Sequence, residues 1–522
     1  MPASQGRDRD LSVAPALAWF AVLLCGALVI LDGHLHGLVA IVDHRDTGDE
    51  VGPQVAGPAF VQREGSAPDD DLGELASYAD PDGEPAPPRR PTVAARRVRT
   101  ADASAGAGST AAATAAGHAE ATTDTGDEDD GADDDGPAAR TAIEDTCVDG
   151  TAASCRRWAM DGFYRALGRA RAGTGLARIS LYGDSVTAEG YIATGMRRRT
   201  MKRYGDGGAG FVFLASPSRW YQNQVVRQSQ SKGWQIHSIV FNSASDQLHG
   251  YGGVSFTGTS GDHVTFKTAK RGPGDAVSRF ELYYLASPKG GTADIVVDGE
   301  VALTVDSHAD TTASAFAGVD LADGAHAIEV RVTRGRLRGF GVTMERASGV
   351  VVDSLGVVSN TAKSMGKIDD AHYAEQIAHR DPALVMVLLG ANESGWLKGA
   401  GAMKQYRQQW EALLARVRKG DPAASCLVLG TLDAGELQDG KHYVARTNIA
   451  DMIEVERAAA AAQGCAFWDA RAFMGGDDAA RKWFRKGLMS GDFEHLTSKG
   501  GQVIGSGIVE ALEAGYAASR SR

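Results

Sequence analysis

Apolar and polar residues follow three different patterns along the chain. Residues 11–31, LSVAPALAWFAVLLCGALVIL, carry no charge. They are long enough to cross a hydrocarbon core of about 30 Å as a helix. From 44 to 144 large apolar residues nearly vanish, as in ASAGAGSTAAATAAGHAEATTDTGDEDDGADDDG. Such a segment buries too little apolar surface to offset its ordering entropy, so the pattern predicts a flexible tether. Past residue 145 periodicity returns. Trp158, Phe163 and Leu167 predict a helix over 154–171, and Ala177 to Tyr182 form a short apolar strand ending at Gly183. Similar strands follow at 350–358, 384–389, 426–429 and 466–468. Helical stretches separate these four, for example 402–418 with Met403, Tyr406, Trp410, Leu413, Leu414 and Val417. Apolar strands alternating with helices predict an α/β fold whose parallel sheet is covered on both faces.

Between 246 and 348 the helical period disappears, and short alternating strands are broken by Gly and Asp. Asp298-Gly299 between two of them is a hairpin signal. This stretch reads as an all-β sandwich inserted after the first strand of the α/β domain and before its second. The expected organisation is a membrane anchor at 1–43, a tether at 44–144, a first α/β part at 145–245, the β-sandwich at 246–348 and a second α/β part at 349–522.

Charge sharpens this picture. The formal net charge of -12 is concentrated in the tether, in the run Asp127 to Asp130 and again at Asp133, Asp134 and Asp135. Without a basic stripe interleaved with aromatics, nucleic acid is excluded as an expected partner. Arg7 and Arg9 precede the apolar run, offset by Asp8 and Asp10, and weakly favour a cytoplasmic N-terminus. No small-x-small cleavage site follows the run, and Cys25 sits behind Leu23-Leu24, a poor lipoprotein box. The expectation is an uncleaved anchor with everything after it on the extracytoplasmic side. Of five cysteines, Cys25 lies in the anchor. Cys147 and Cys155 are placed to staple a loop. For Cys426 and Cys465, a bridge between neighbouring strands and two buried thiols stay equally open.

Three short motifs carry candidate chemistry. Gly183-Asp184-Ser185-Val186 places a serine just past a strand's carboxyl end, where open α/β sheets hold ligands. Thr187 stands where the Gly-x-Ser-x-Gly elbow has its second glycine, so this is a different arrangement. Taken alone, Gly-Asp-Ser is more often an ordinary helix cap. Near the C-terminus, Gly491, Asp492, Phe493, Glu494 and His495 offer an imidazole and a carboxylate to orient it. The plain alternative is a histidine capping the helix that begins near Thr497. Asn392, in Leu388-Leu389-Gly390-Ala391-Asn392-Glu393, is suited to donate to an oxyanion or simply to make a turn.

The three motifs fall in order along one sheet, and with them the chain resembles the SGNH/GDSL hydrolases over about 145–520. GDSV resembles that family's nucleophile block, GANE its asparagine block and DFEH its Asp-x-x-His block. The resemblance implies a flavodoxin-like three-layer fold without metal or cofactor. It implies Ser185 as nucleophile, His495 as base, Asp492 as orienting carboxylate, and Ser185 and Asn392 as oxyanion donors. In the remaining block, Ser359 stands where relatives carry a glycine whose amide completes the oxyanion hole. Tyr204-Gly-Asp-Gly-Gly-Ala-Gly210 and the β-rich stretch resemble the peptidoglycan O-acetylesterases, with their carbohydrate-binding-module-like domain. That implies a serine esterase acting on O-acetylated cell-envelope glycan, with Tyr251, Tyr283 and Tyr284 either gripping sugar or filling the core. An O-acetyltransferase using the same residues and a catalytically idle glycan-binding scaffold are the alternatives.

Overall fold

The computed structural model describes residues 142–522 and the backbone of Ala94–Ala95 and Arg99–Thr100, all within the unit Pro85–Arg522. The apolar stretch 11–31 and most of the tether lie outside these residues. Among the described residues no helix is long and apolar enough to cross a membrane. Two short pieces of the tether are paired, contrary to expectation: Ala94–Ala95 and Arg99–Thr100 lie antiparallel against the strand Ala313–Gly324. An edge strand offers free amides and carbonyls to any extended backbone, whatever its side chains.

Five parallel strands form the α/β sheet, in the order Gly349–Gly356, Leu176–Gly183, Leu384–Leu388, Ser425–Leu429 and Ala466–Trp468. Side chains alternate across it. Ile179, Leu181, Met386, Leu427 and Leu429 face one core, with residues of helices Asp161–Arg171, Tyr191–Tyr204 and Ser498–Ser519. Tyr182, Val385, Val387, Cys426 and Val428 face the other, with residues of helices Asp370–Arg380, Ala400–Gly420 and Ile449–Ala462. Burial on both faces explains why these strands read as unbroken apolar runs. The expected three-layer α/β arrangement is thus present.

The helix predicted over 154–171 starts only at Asp161. A disulfide between Cys147 and Cys155 closes a small hairpin of Cys147–Asp149 against Arg157–Trp158, and the chain cannot turn helical until it leaves that loop. The second pair is also bridged: Cys426 and Cys465, with Cα atoms 4.7 Å apart, join the ends of two neighbouring strands.

Antiparallel strands occupy the sequence between the first two α/β strands, but they begin at Gly208–Phe213, earlier than residue 246. The Gly-rich approach to that strand masks its β character. One sheet contains Val277–Ala286, Ala313–Gly324 and Arg336–Glu345; a second contains Thr292–Val297, Ala327–Arg334 and His263–Thr268. The first is a middle layer. Phe280 packs on Phe266 of the second sheet, whereas Glu281 and Tyr283, on the opposite face, meet His379 of helix Asp370–Arg380. A buried ion network joins the layers: Glu345 accepts from Arg178 and Arg380, and Arg380 also donates to Asp353. Burial opposes the Glu345 charge, but the two guanidiniums override it and bring its pKa down to about 2.

Candidate active site

The carboxyl ends of three adjacent strands come together in register, with Gly183 opposite both Gly356 and Leu388. Ser185, Ser359 and Asn392 follow these ends within a few residues. Gly183 is required by contact: a Cβ there would lie 2.1 Å from Thr187 Oγ1 and 2.9 Å from the Leu388 carbonyl. Thr187 therefore packs over the turn, in the space the elbow's second glycine would leave open. Asp184 caps the one-turn helix Ser185–Ala188 by accepting from the Val186 amide at 3.0 Å. Burial pushes this carboxyl up to about 7.

His495 reaches Ser185 across 310 residues of sequence. Its Nε2 lies 2.9 Å from Ser185 Oγ, and its Nδ1 lies 2.9 Å from Asp492 Oδ2. Asp492 Oδ1 accepts from the Glu494 and His495 amides, both at 3.0 Å, so the loop fixes its own carboxylate. The tight turn puts Phe493 at φ 59°. Burial disfavours the Asp492 charge, but the His495 hydrogen bond, its charge and the two amides prevail and hold the carboxyl below its ordinary value. Burial likewise disfavours the imidazolium, and here the Asp492 hydrogen bond and charge raise the His495 pKa to about 9. With Nδ1–H held by the carboxylate, a neutral His495 presents its Nε2 lone pair to the serine hydroxyl.

The expected oxyanion donors are placed less simply. Asn392 lies in the short helix Ala391–Ser394, and its Nδ2 donates to the Asn360 carbonyl at 3.0 Å. An amide carries two protons, so one remains for another acceptor. Ser359 is at φ 61°, a left-handed conformation that favours glycine. Asn360 anchors this loop, its Nδ2 donating to the Gly183 carbonyl at 3.1 Å. Glu393 Oε1 accepts from the Ala362 amide at 3.0 Å and joins the same two loops.

Several contributors escaped sequence reading. Arg446 donates to the Ala391 carbonyl, to Ser394 Oγ and to Glu494 Oε2, clamping the asparagine helix to the histidine loop. Nothing in the sequence marks it, because its partners lie about fifty residues away on either side. Glu189 follows the nucleophile helix, and its Oε2 is enclosed without a hydrogen bond. Burial pushes its carboxyl up to about 7, opposed by the nearby His495 charge. Glu393 reaches about 7 for the same first reason, burial. Tyr251, Tyr283 and Tyr284, weighed as sugar contacts, are core residues with at most 1% exposure. Among the described residues no group of three or more His, Cys, Asp or Glu is placed to hold a metal.

Residues 318–503 match the GDSL-like lipase/acylhydrolase family. That span takes in Ser359, Asn392, Asp492 and His495, and Ser185 precedes it. Over that span the chain is similar to the GDSL-like acylhydrolases. Its fold is similar to that of a solved peptidoglycan O-acetylesterase, with a TM-score of 0.59 at 21% identity, covering 68% of this chain and 96% of the other. A lipase/acylhydrolase from Enterococcus faecalis overlaps less, with a TM-score of 0.25 at 16% identity, over 32% of this chain and 77% of that one. An acetyl xylan esterase gives 0.24 at 15% identity, over 31% and 80%. No curated sequence matches the chain. The family match and the fold likeness together support a serine ester hydrolase.

Proposed function

We propose that this protein is an acylhydrolase that removes O-acetyl groups from cell-envelope glycan such as peptidoglycan, with Ser185, His495 and Asp492 as its catalytic triad. The observation that carries the triad is the unbroken Ser185–His495–Asp492 relay, 2.9 Å at each link, at the carboxyl edge of the sheet. Ser185 Oγ attacks the ester carbonyl as Nε2 takes its proton. The amides of Ser185 and Ser359 and the second Asn392 proton receive the oxyanion. The imidazolium then protonates the departing sugar oxygen. In the second half, water adds to the acetyl-enzyme, gives its proton to His495, and acetate leaves as Ser185 regains its hydrogen. Asp492 holds the ring and balances its positive charge without taking the proton. The fold likeness to the peptidoglycan O-acetylesterase supports the glycan substrate. The apolar 11–31 stretch and the two disulfides support an anchored, extracytoplasmic domain.

The test is acetate release from O-acetylated peptidoglycan and acetylated xylan, comparing wild type with Ser185→Ala. Loss of the hydroxyl is expected to lower the rate by about 10⁴-fold or more. Equal rates in the two proteins would overturn the triad. An idle scaffold would release acetate from neither polymer and would not be labelled by a fluorophosphonate.

A further inference from the structure

Few large apolar side chains are left exposed among the described residues: Trp220, Val301, Trp396, Leu437, Val444 and Phe484. All except Val301 sit on segments tied to the candidate active site. Trp220 belongs to the loop whose Gln222 amide donates to the Ala188 carbonyl, at the end of the nucleophile helix. Trp396 follows the asparagine helix, its amide donating to the Glu393 carbonyl. Leu437 and Val444 lie on the hairpin whose Gly435 amide donates to the Phe493 carbonyl, and the Phe484 ring lies 4.8 Å from that of Phe493. Exposed apolar groups gathered on the segments around one site mark a surface that binds something.

The two indoles differ from the aliphatic residues in their surroundings. Trp220, 38% exposed, has Arg219 over its ring and Gln222 and Gln224 nearby in its loop. Trp396, 59% exposed, precedes Leu397 and Lys398, which line a cavity of about 540 Å³. That cavity lies between the start of helix Ala400–Gly420 and helix Ile449–Ala462, and Lys398, Asn448, Asp451 and Met403 contribute to its wall. An acyl chain or a lipid surface calls for a continuous apolar wall, which charged and amide groups interrupt here. A pyranose ring has an apolar face of C–H groups and a rim of hydroxyls. A flat indole beside hydrogen-bonding side chains complements both parts.

We infer that Trp220 and Trp396, on the loops that join the nucleophile helix and the asparagine helix, are sugar-stacking subsites, with the cavity lined by Leu397 and Lys398 taking a further unit, so that the enzyme works on an extended polysaccharide strand. This rests on the glycan-esterase reading and extends it from an acetylated sugar to a polymer. Neither indole touches the reacting atoms. Each lowers the energy of the bound polymer, so its loss acts on kcat/KM for polymer relative to small esters.

The experiment compares the full chain with Trp220→Ala, Trp396→Ala and the double variant. Each is assayed on O-acetylated peptidoglycan, on acetylated xylan and on 4-nitrophenyl acetate. The ratio of polymer to small-ester kcat/KM is expected to fall several-fold in each single variant and about tenfold or more in the double, mainly through KM. Small-ester turnover reports that the variants are folded. An unchanged ratio in the double variant overturns the subsites and leaves the esterase reading standing. A wild type that cleaves the small ester and no polymer overturns the glycan reading, and the subsites with it. A rate stimulated by anionic lipid vesicles and lost with the tryptophans would assign these segments to a membrane surface instead.

Discussion

At the carboxyl edge of the parallel sheet, carboxyls are buried without full partners: Glu189 and Glu393 each keep one enclosed oxygen without a hydrogen bond. Asp184, Glu189 and Glu393 are all pushed up to about 7 by burial. Ser359 and Phe493 there hold left-handed backbone without being glycine. The antiparallel layers bury charge as well, but the Glu345 carboxylate is paired with two guanidiniums and its pKa falls to about 2. Left-handed Asp298 in those layers does ordinary hairpin work before Gly299. The contrast in carboxyls separates layers that pair a buried carboxylate with cations from a sheet edge that leaves carboxyls without full partners where chemistry is proposed. Changes at the sheet edge should therefore alter rate and pH dependence, and changes in the antiparallel layers should alter stability.

The largest effect should come from Asp492→Asn. As the proposed base His495 works only when neutral, and its pKa is raised to about 9. The acidic limb of kcat/KM should thus lie well above the ordinary imidazole value of about 6.5. Asparagine removes the hydrogen bond and charge that raise it most and leaves burial, which lowers it, opposed only by the weaker charges of Glu494 and Glu189. The limb should move down by more than one pH unit while the plateau drops by roughly 10⁴-fold. A pH–rate profile from 5 to 10 with a small ester checks both. A limb that stays in place would mean that a different group is titrating.

Next in size is Tyr283→Ala, in the middle layer. The ring is 1% exposed and packs on Phe211, Phe316 and His379. Its loss should cost about 3–5 kcal/mol of unfolding free energy by denaturant titration. The activity of the protein still folded should stay within a few-fold of wild type. A selective loss of activity with little loss of stability would contradict the division of labour between the two regions.

Legibility in the sequence follows the same line. The parallel strands were readable because burial on both faces makes them continuous apolar runs, and the three motifs were readable because each is local. Tyr283 and Tyr284 were ambiguous because neighbouring residues of a strand point to opposite faces. Only a middle layer buries both, and that layering arises from contact with helix Asp370–Arg380, distant in sequence. The early start of the antiparallel strands was hidden by glycines, and the helix at Asp161 was delayed by the Cys147–Cys155 staple, which the sequence offered without showing its hold on the first helical turns. Arg446 left no trace, since its role exists only once the hairpin loop, the asparagine helix and the histidine loop meet. The commitment of Asn392 to the Asn360 carbonyl was equally invisible.

The smallest effect is expected at Ser359, where the two regions' rules conflict within one residue. Its φ of 61° is left-handed, which costs a non-glycine residue roughly 1 kcal/mol. Ser359→Gly should relieve this strain but release more backbone entropy on unfolding, a cost of similar size. Net stability should therefore change by less than about 1 kcal/mol. Activity separates the possibilities more sharply. If the Ser359 amide is an oxyanion donor, glycine keeps the donor and kcat should remain within about threefold of wild type. Ser359→Pro deletes the N–H and should lower kcat by about 10²-fold or more, the loss expected for one oxyanion donor. Proline also cannot adopt φ 61°, so the comparison needs a folded control: near-wild-type cooperative unfolding with lost kcat supports the donor. A folded proline variant with unchanged kcat removes Ser359 from the oxyanion hole and leaves Asn392 and the Ser185 amide to hold the charge.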